Sequence, residues 1–290
     1  MSRLAFIPPL LPTLVDEPPD GEGWLHEIKY DGYRTQLVVD EQGGRAFTRN
    51  GHDWSRQYAF ILGAAAELPL DRAIIDGEVI VQDENGLSDF RALRASITSN
   101  PHRLIFYAFD LLHIDGKDLR RTPLIERRAK LEELIGKHDP QFPIQFSAHV
   151  LGNGDAMFEQ VKAMELEGIV SKRIDSRYVS GRSTAWLKAK SYEEAEFVVV
   201  GTERGTGPST ALLAREHDGD LEYVGGAMLT LTDKERDRFW ADMERLKLPR
   251  PAVGIDKRKG AQWVEPKVHA RVQYLKGSGK LRHATVRELL

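Results

Sequence analysis

Two apolar runs constrain the fold of this chain more than any other feature: RAIIDGEVIVQD over residues 72–83 and RLIFYAFDLLHID over 103–115. Both are short, bounded by polar residues and rich in β-branched or aromatic side chains, so they read as buried strands rather than helices. Around them, residues 24–49 read as strand, loop, strand, a tight turn at EQGG and another strand. Helical patterns follow over about 53–67, 88–97 and 122–137, the last opened by Thr122 as a cap with Pro123 at the first helical position. A further helix over about 154–166 carries Met157, Val161 and Met164 on one face and stops at Gly168, after which GIVSKR is a strand leading to WLKAK. This mixed order predicts an α+β fold rather than a regular βαβ repeat.

After Lys190 the texture changes. EFVVVGTERG, ALLAREHDGDLEYVGG and QWVEPKVHARVQYL read as strands joined by Gly-rich turns, interrupted by one helix. Thr232 and Glu235 form a capping box in front of Phe239, Met243 and Leu246. Four or five strands with one helix fit a small OB-type barrel, a common nucleic-acid binder. A length of 290 residues suits two domains, and the boundary is expected near Ser191, giving domains 1–190 and 191–290.

The chain has 29% charged and 41% hydrophobic residues and no run that could span a bilayer, which argues against a membrane protein. Its apolar start is interrupted by Pro8, Pro9 and Pro12, unlike a signal peptide, so the reading is a mature cytoplasmic protein. With no cysteine there is no disulfide, thiolate zinc site or Cys nucleophile, and any metal must be held by oxygen or His ligands. The net charge of −3 argues against a nucleic-acid partner only as a global sum. Residues 172–190 carry six Lys or Arg against Asp175, and 257–290 carry nine, including Lys257, Arg258, Lys259 and Lys276, against Glu265 and Glu288. GSGK at 277–280 is not a P-loop, because Tyr274 and Leu281 stand where that motif needs Gly and Ser or Thr. His113 is read as a strand-end surface residue, and the DG pairs at 31–32 and 76–77 taken alone read as turns.

The ordered set KYDGYR (29–34), TRNG (48–51), DGEVI (76–80), FDLL (109–112), EGIVSK (167–172) and WLKAK (186–190) is specific. It resembles the covalent nucleotidyltransferase superfamily of ATP-dependent DNA ligases, RNA ligases and mRNA-capping guanylyltransferases. Within it, WLHEIKYDGYR, YAFDLLHIDG and the terminal KLRH are most similar to the ligase module of bacterial ATP-dependent, Ku-associated end-joining ligases. The resemblance implies an adenylation (nucleotidyltransferase) domain followed by an OB-fold domain, and a DNA ligase working through a lysyl-AMP and a 5′-adenylated DNA.

On this resemblance Lys29 is the nucleophile that attacks the α-phosphate of ATP, as a neutral amine. Nearby cations, here Lys188, Lys190 and a bound Mg²⁺ (or Mn²⁺), favour that neutral form, whereas Glu27 and Asp31 would oppose it if they faced the lysine. Glu27, two strand residues away, lies on the same side as Lys29, and the resemblance gives it the adenine amino group. Asp31 shapes the loop with Gly32. The resemblance further implies that Arg34 contacts the ribose, that Phe109 and Val170 flank the adenine, and that Lys172, Lys188 and Lys190 neutralise phosphate. Arg49 holds a 5′-phosphate or the AMP phosphate. Glu78 and Glu167 are the metal ligands, Glu78 being an alternative ribose contact. Arg282, with Lys280, orients pyrophosphate as the leaving group. The terminal motif departs from its relatives by continuing LRH into Ala284 and Val286 rather than Pro and an aromatic residue. Expected partners are nicked or broken duplex DNA and, by resemblance only, Ku and a repair polymerase, with the protein a nucleoid-associated bacterial monomer. A GTP-using capping enzyme, an RNA ligase and a non-catalytic DNA-binding module are the alternatives.

Overall fold

The computed structural model describes residues 3–136, 139, 141–204, 208–217, 219–255, 258, 260–275 and 280–290. Lys257, Lys259 and Lys276 of the C-terminal basic cluster, and the Gly277, Ser278 and Gly279 of GSGK, lie outside the described residues. The chain divides into two compact units, Met1–Lys190 and Ser191–Leu290. Among the described residues no helix is long and apolar enough to cross a membrane.

The first unit runs β1 (Leu10–Val15), β2 (Trp24–Ile28), β3 (Tyr33–Asp40), β4 (Gly43–Thr48), α1 (Ala59–Ala65), β5 (Ala73–Ile80), α2 (Phe90–Ser99) and β6 (Ile105–Ile114). It continues through β7 (Lys117–Asp118), α3 (Leu124–Ile135), β8 (Ile144–Phe146), β9 (His149–Leu151), α4 (Gly154–Ala163), β10 (Gly168–Arg173) and β11 (Gly181–Lys190). These strands form two sheets. One has the order β1-β11-β10-β2-β9, the other β4-β3-β5-β6-β7 with β8 beside β6.

The apolar runs are continuous because the second sheet is buried on both faces. Successive strand residues point to opposite sides, and here each side has its own core. Leu37, Ile75 and Leu111 belong to a cluster with Tyr58, Ile61, Leu93 and Leu131 from the helical side. Their neighbours Val38, Ile74 and Leu112 belong to a cluster with Leu10, Leu25 and Trp186 of the first sheet. This second cluster welds the two sheets together.

Several local expectations are corrected. The helix expected over 53–67 forms only at Ala59–Ala65, because Asp53 bridges Phe47 and accepts from the Ser55 N–H and hydroxyl (2.9 and 2.5 Å), side-chain bonding that competes with helix. Pro123, not Thr122, is the N-cap residue of α3, with ψ 144° and no side-chain cap. Helix α4 stops at Ala163, and Glu165 follows with φ 57°. Met164 is consequently exposed, and Phe158 joins Val161 on the buried face. The Asp76-Gly77 pair lies inside β5, not in a turn. His113 lies at the end of β6 as expected but is half-buried rather than a surface residue, and burial lowers its imidazole. Strand β1, unrecognised in the Pro-rich start, pairs parallel with β11.

The second unit contains β12 (Tyr192–Glu203), β13 (Thr210–His217), β14 (Asp220–Leu229), α5 (Asp233–Arg245), β15 (Lys247–Leu248), β16 (Ala261–Leu275) and β17 (Arg282–Leu289). Pairings run β12–β13–β14–β17–β16 and return from β16 to β12, with β14 and β17 parallel. That closed five-strand circuit, with its helix between the third and fourth strands, is OB-type and leaves few free edges. Helix α5 carries the expected capping box, Thr232 and Glu235 each bonding the other's backbone N–H. Its Phe239 and Met243, with Leu246, enter the core.

Candidate active site

The two sheets of the first unit enclose a cavity of about 540 Å³. The register of the first sheet builds one wall. Glu27 on β2, Val170 on β10 and Lys188 on β11 are directly paired across the strands. Two residues along, and so on the same face, Leu25, Lys172 and Trp186 form a second row. Glu27, Val170, Lys172, Trp186 and Lys188 all line the cavity. The second sheet contributes Arg34 from β3, Glu78 from β5 and Phe109 from β6, and the turn after β4 adds Arg49, Asn50 and His52. Arg34 and Glu78 are themselves cross-strand partners.

Lys29 leaves β2 with its N–H donating to the Gly168 carbonyl (2.9 Å), which brings it beside Glu167. The Lys29 ammonium donates to Glu167 Oε2, and Lys190 Nζ lies 3.4 Å from Glu167 Oε1. Gly168 permits this approach. Its φ is 143°, and a Cβ there would stand 2.1 Å from the Ala189 carbonyl oxygen, a geometry open only to glycine. Gly32 serves the same end: its Cβ would fall 2.2 Å from the Val79 carbonyl oxygen, so this glycine marks a close approach of the loop after Lys29 to β5.

Glu27, two residues before the lysine, is held by other cations. Glu27, 2% exposed, accepts from Lys172 Nζ at 3.0 and 2.9 Å and from Arg128 of α3. Burial, with Arg128 beside it, lowers the Lys172 ammonium to about 8 despite Glu27. Lys172 Nζ also stands over the Phe109 and Trp186 rings, 4.2 and 4.1 Å from their centroids. Burial raises the Glu78 carboxyl to about 8, against the attraction of Lys29 and Arg34 and with the repulsion of Glu167 and Asp76. Lys188 is lowered by burial and by Lys190, Lys29, Arg182 and Arg49. One end of the cavity is thus aromatic with an anchored carboxylate, and the other is crowded with cations.

Of the site residues expected from sequence, Glu27, Lys29, Arg34, Arg49, Glu78, Phe109, Val170, Lys172 and Lys188 line this one cavity; Glu167 joins it through its ion pair with Lys29, and Lys190 through its ion pair with Glu167. Arg282 opens β17 in the second unit. Arg34 has a second task. Its Nε and Nη2 donate to Asp76 (3.1 and 2.7 Å) and its Nη1 to the Leu10 carbonyl (2.6 Å), while the Tyr178 hydroxyl donates to Asp76 at 2.6 Å.

Sequence reasoning missed Trp186, Arg182, Asp76, Tyr178, Arg127 and Arg128. For the two arginines a signal existed: Leu124, Arg127, Arg128, Leu131, Leu134 and Ile135 share the helical spacing of a buried face and are buried. Among the described residues no group of three or more His, Asp or Glu could cage a metal. Glu78 lines the cavity and Glu167 accepts from Lys29; carboxylates are the donor type suited to Mg²⁺, a hard cation usually held by one or two of them with the remaining ligands from phosphate and water.

The ATP dependent DNA ligase domain model matches residues 15–190, and the ATP dependent DNA ligase C terminal region model matches 204–289. The multifunctional non-homologous end joining protein LigD of Pseudomonas aeruginosa is 34% identical over 281 residues, covering 93% of this chain and 33% of that protein. The LigB DNA ligase-like protein of Bacillus subtilis is 32% identical over 199 residues, 68% of this chain and 72% of its own. The chain spans about a third of the length of the Pseudomonas and mycobacterial LigD relatives and 46% of that of the Bacillus subtilis LigD. The solved ligase domain of M. tuberculosis LigD superposes with a TM-score of 0.59 at 26% identity, covering 97% of this chain and 94% of that one. A mycobacterial DNA ligase D complexed with ATP and MES gives the same values. With two ligase models together spanning most of its length and a relative at 34% identity, the chain belongs to the ATP-dependent DNA ligase family.

Proposed function

We propose that this chain is the catalytic core of an ATP-dependent DNA ligase acting on nicked or broken duplex DNA. The observation that carries the reading is the placement of Lys29 in a cavity with one aromatic, carboxylate-bearing end and one cationic end, dimensions and chemistry that suit a nucleotide. The Lys29 amine, as its free base, attacks the α-phosphorus of ATP. An N–P bond forms, the bond to the β-phosphate oxygen breaks, and pyrophosphate departs. The AMP then passes to a DNA 5′-phosphate, returning the lysine. The neighbouring 3′-hydroxyl attacks that phosphate and releases AMP.

Phe109 and Val170 hold the base, Glu27 its amino group, and Arg34 the ribose. Lys172, Lys188 and Lys190 oppose developing phosphate charge, and Arg49 receives the 5′-phosphate. Glu78 and Glu167 would hold Mg²⁺ or Mn²⁺, which when bound supplies charge neutralisation at the phosphates. Arg282 orients pyrophosphate in the first step alone. In this reading the protein works as a monomer in the bacterial cytoplasm at the nucleoid, with Ku and a repair polymerase as partners in end joining.

Incubation with α-labelled ATP or GTP and Mg²⁺, followed by denaturing electrophoresis, tests the reading. Label from ATP retained on the chain, and sealing of a nicked DNA duplex, are expected. Label from GTP alone identifies a capping-type enzyme, sealing of RNA in preference to DNA an RNA ligase, and no label a non-catalytic module.

A further inference from the structure

Helix α3 places two consecutive arginines, Arg127 and Arg128, in the core at 0% and 1% exposure. Neither lines the cavity, and both hold what does. Arg128 Nη1 donates to Glu27 and to the Phe109 carbonyl (2.8 Å), while its Nη2 donates to the Ser147 carbonyl and lies 3.1 Å from His149 Nδ1. Arg127 donates to both oxygens of Asp110, the residue after Phe109, at 2.7 and 2.8 Å, and to the Thr122 and Ser176 carbonyls. Glu27 belongs to the first sheet and Phe109 to the second. One planar fork therefore fixes the distance between a carboxylate on one wall and an aromatic ring on the other. Guanidinium suits this task, because its donors diverge in a fixed plane and it stays charged when buried.

We infer that Arg128 is a positioning residue that presets the carboxylate and aromatic walls for the nucleotide base, and so sets base affinity and selectivity without touching the nucleotide. The inference rests on the proposed nucleotide in this cavity. A carboxylate left to Lys172 and the Ser147 hydroxyl would keep one of its two buried cations but lose its tie to the Phe109 backbone. Preorganised walls lower the cost of ordering on binding.

The test uses the full chain with Arg128→Gln and Arg128→Lys, measuring lysyl-AMP formation against ATP and GTP concentration, with thermal unfolding as the control for folding. In Arg128→Gln the ATP concentration for half-maximal labelling is expected to rise about tenfold, as for loss of one charge-assisted hydrogen bond. The ATP-over-GTP preference should shrink, with a smaller effect on the rate at saturating ATP. Arg128→Lys keeps the charge but cannot reach the divergent acceptors together, so it should move in the same direction by less, and it carries the test if the Gln variant does not fold. Unchanged half-saturation and unchanged base preference, with only a lower melting temperature or a smaller active fraction, would overturn the inference and make Arg128 purely structural. Absence of labelling in the unsubstituted chain would instead overturn the proposed function.

Discussion

Replacing Glu78 by Gln should stabilise the fold while removing activity, and the gain should depend on pH in a defined way. Burial raises this carboxyl to about 8 from its ordinary 4.5. Between those values the native state keeps a proton that the unfolded chain has released, so the group's contribution to stability declines as pH rises and is fully lost above about pH 8. The span corresponds to a ceiling of ~5 kcal/mol at ~1.4 kcal/mol per pH unit. Relaxation and water entry should leave roughly half of that observable. Gln keeps the shape and never ionises, so the stability difference should be near zero at pH 4 and grow to about 2–3 kcal/mol in favour of the variant at pH 9. Urea unfolding at pH 4, 7 and 9 reads this directly, and other groups such as Lys172 are common to both proteins and cancel. The same variant should lose lysyl-AMP formation, the expected exchange of function for stability at a site that stores an unfavourable charge. A difference that does not change with pH would refute the reasoning.

Lys29→Ala and Lys29→Arg should both abolish covalent labelling with unchanged thermal unfolding, the second because guanidinium is never neutral at working pH; labelling in either sinks the mechanism. Gly32→Ala forces a Cβ against the Val79 carbonyl and should cost about 1–3 kcal/mol as overpacking does, measured by denaturation, together with loss of labelling. Arg282→Ala should lose self-adenylation yet seal a nick already carrying 5′-AMP, whereas Glu167→Ala should impair both; equal loss in Arg282→Ala would place that residue on the DNA instead. Binding to nicked duplex should weaken steeply with salt, with a slope that falls when Lys257, Arg258 and Lys259 are replaced together; salt-independent binding would make the basic clusters solvated faces.

Much of the fold was legible because its signals are short-range. The runs at 72–83 and 103–115 announced central strands, since a segment buried on both faces has no polar side to alternate with. The Thr232 and Glu235 capping box lies within one helical turn, and the motif order pointed to the family and to the residues lining the cavity. Legibility failed where local patterns competed. The 53–58 segment had helical spacing, but the Asp53 and Ser55 side chains supplied another set of hydrogen bonds. Strand β1 was hidden by Pro8 and Pro9 just before it and by Pro12 within it, which its edge position tolerates.

The sequence by itself determined which residue types could do the chemistry and on which strands they would sit, because strand period and motif spacing are properties of neighbouring residues. Only the tertiary structure decided their partners. It brought Glu167 to Lys29 across 138 residues, and it gave Glu27 to Lys172 and Arg128 rather than to the lysine two positions away. It also turned two arginines of α3 inward and made Gly32 a point of contact between backbones. These outcomes depend on how two sheets and a helix pack, and the pairing of distant buried charges leaves no periodic trace in the chain that carries them.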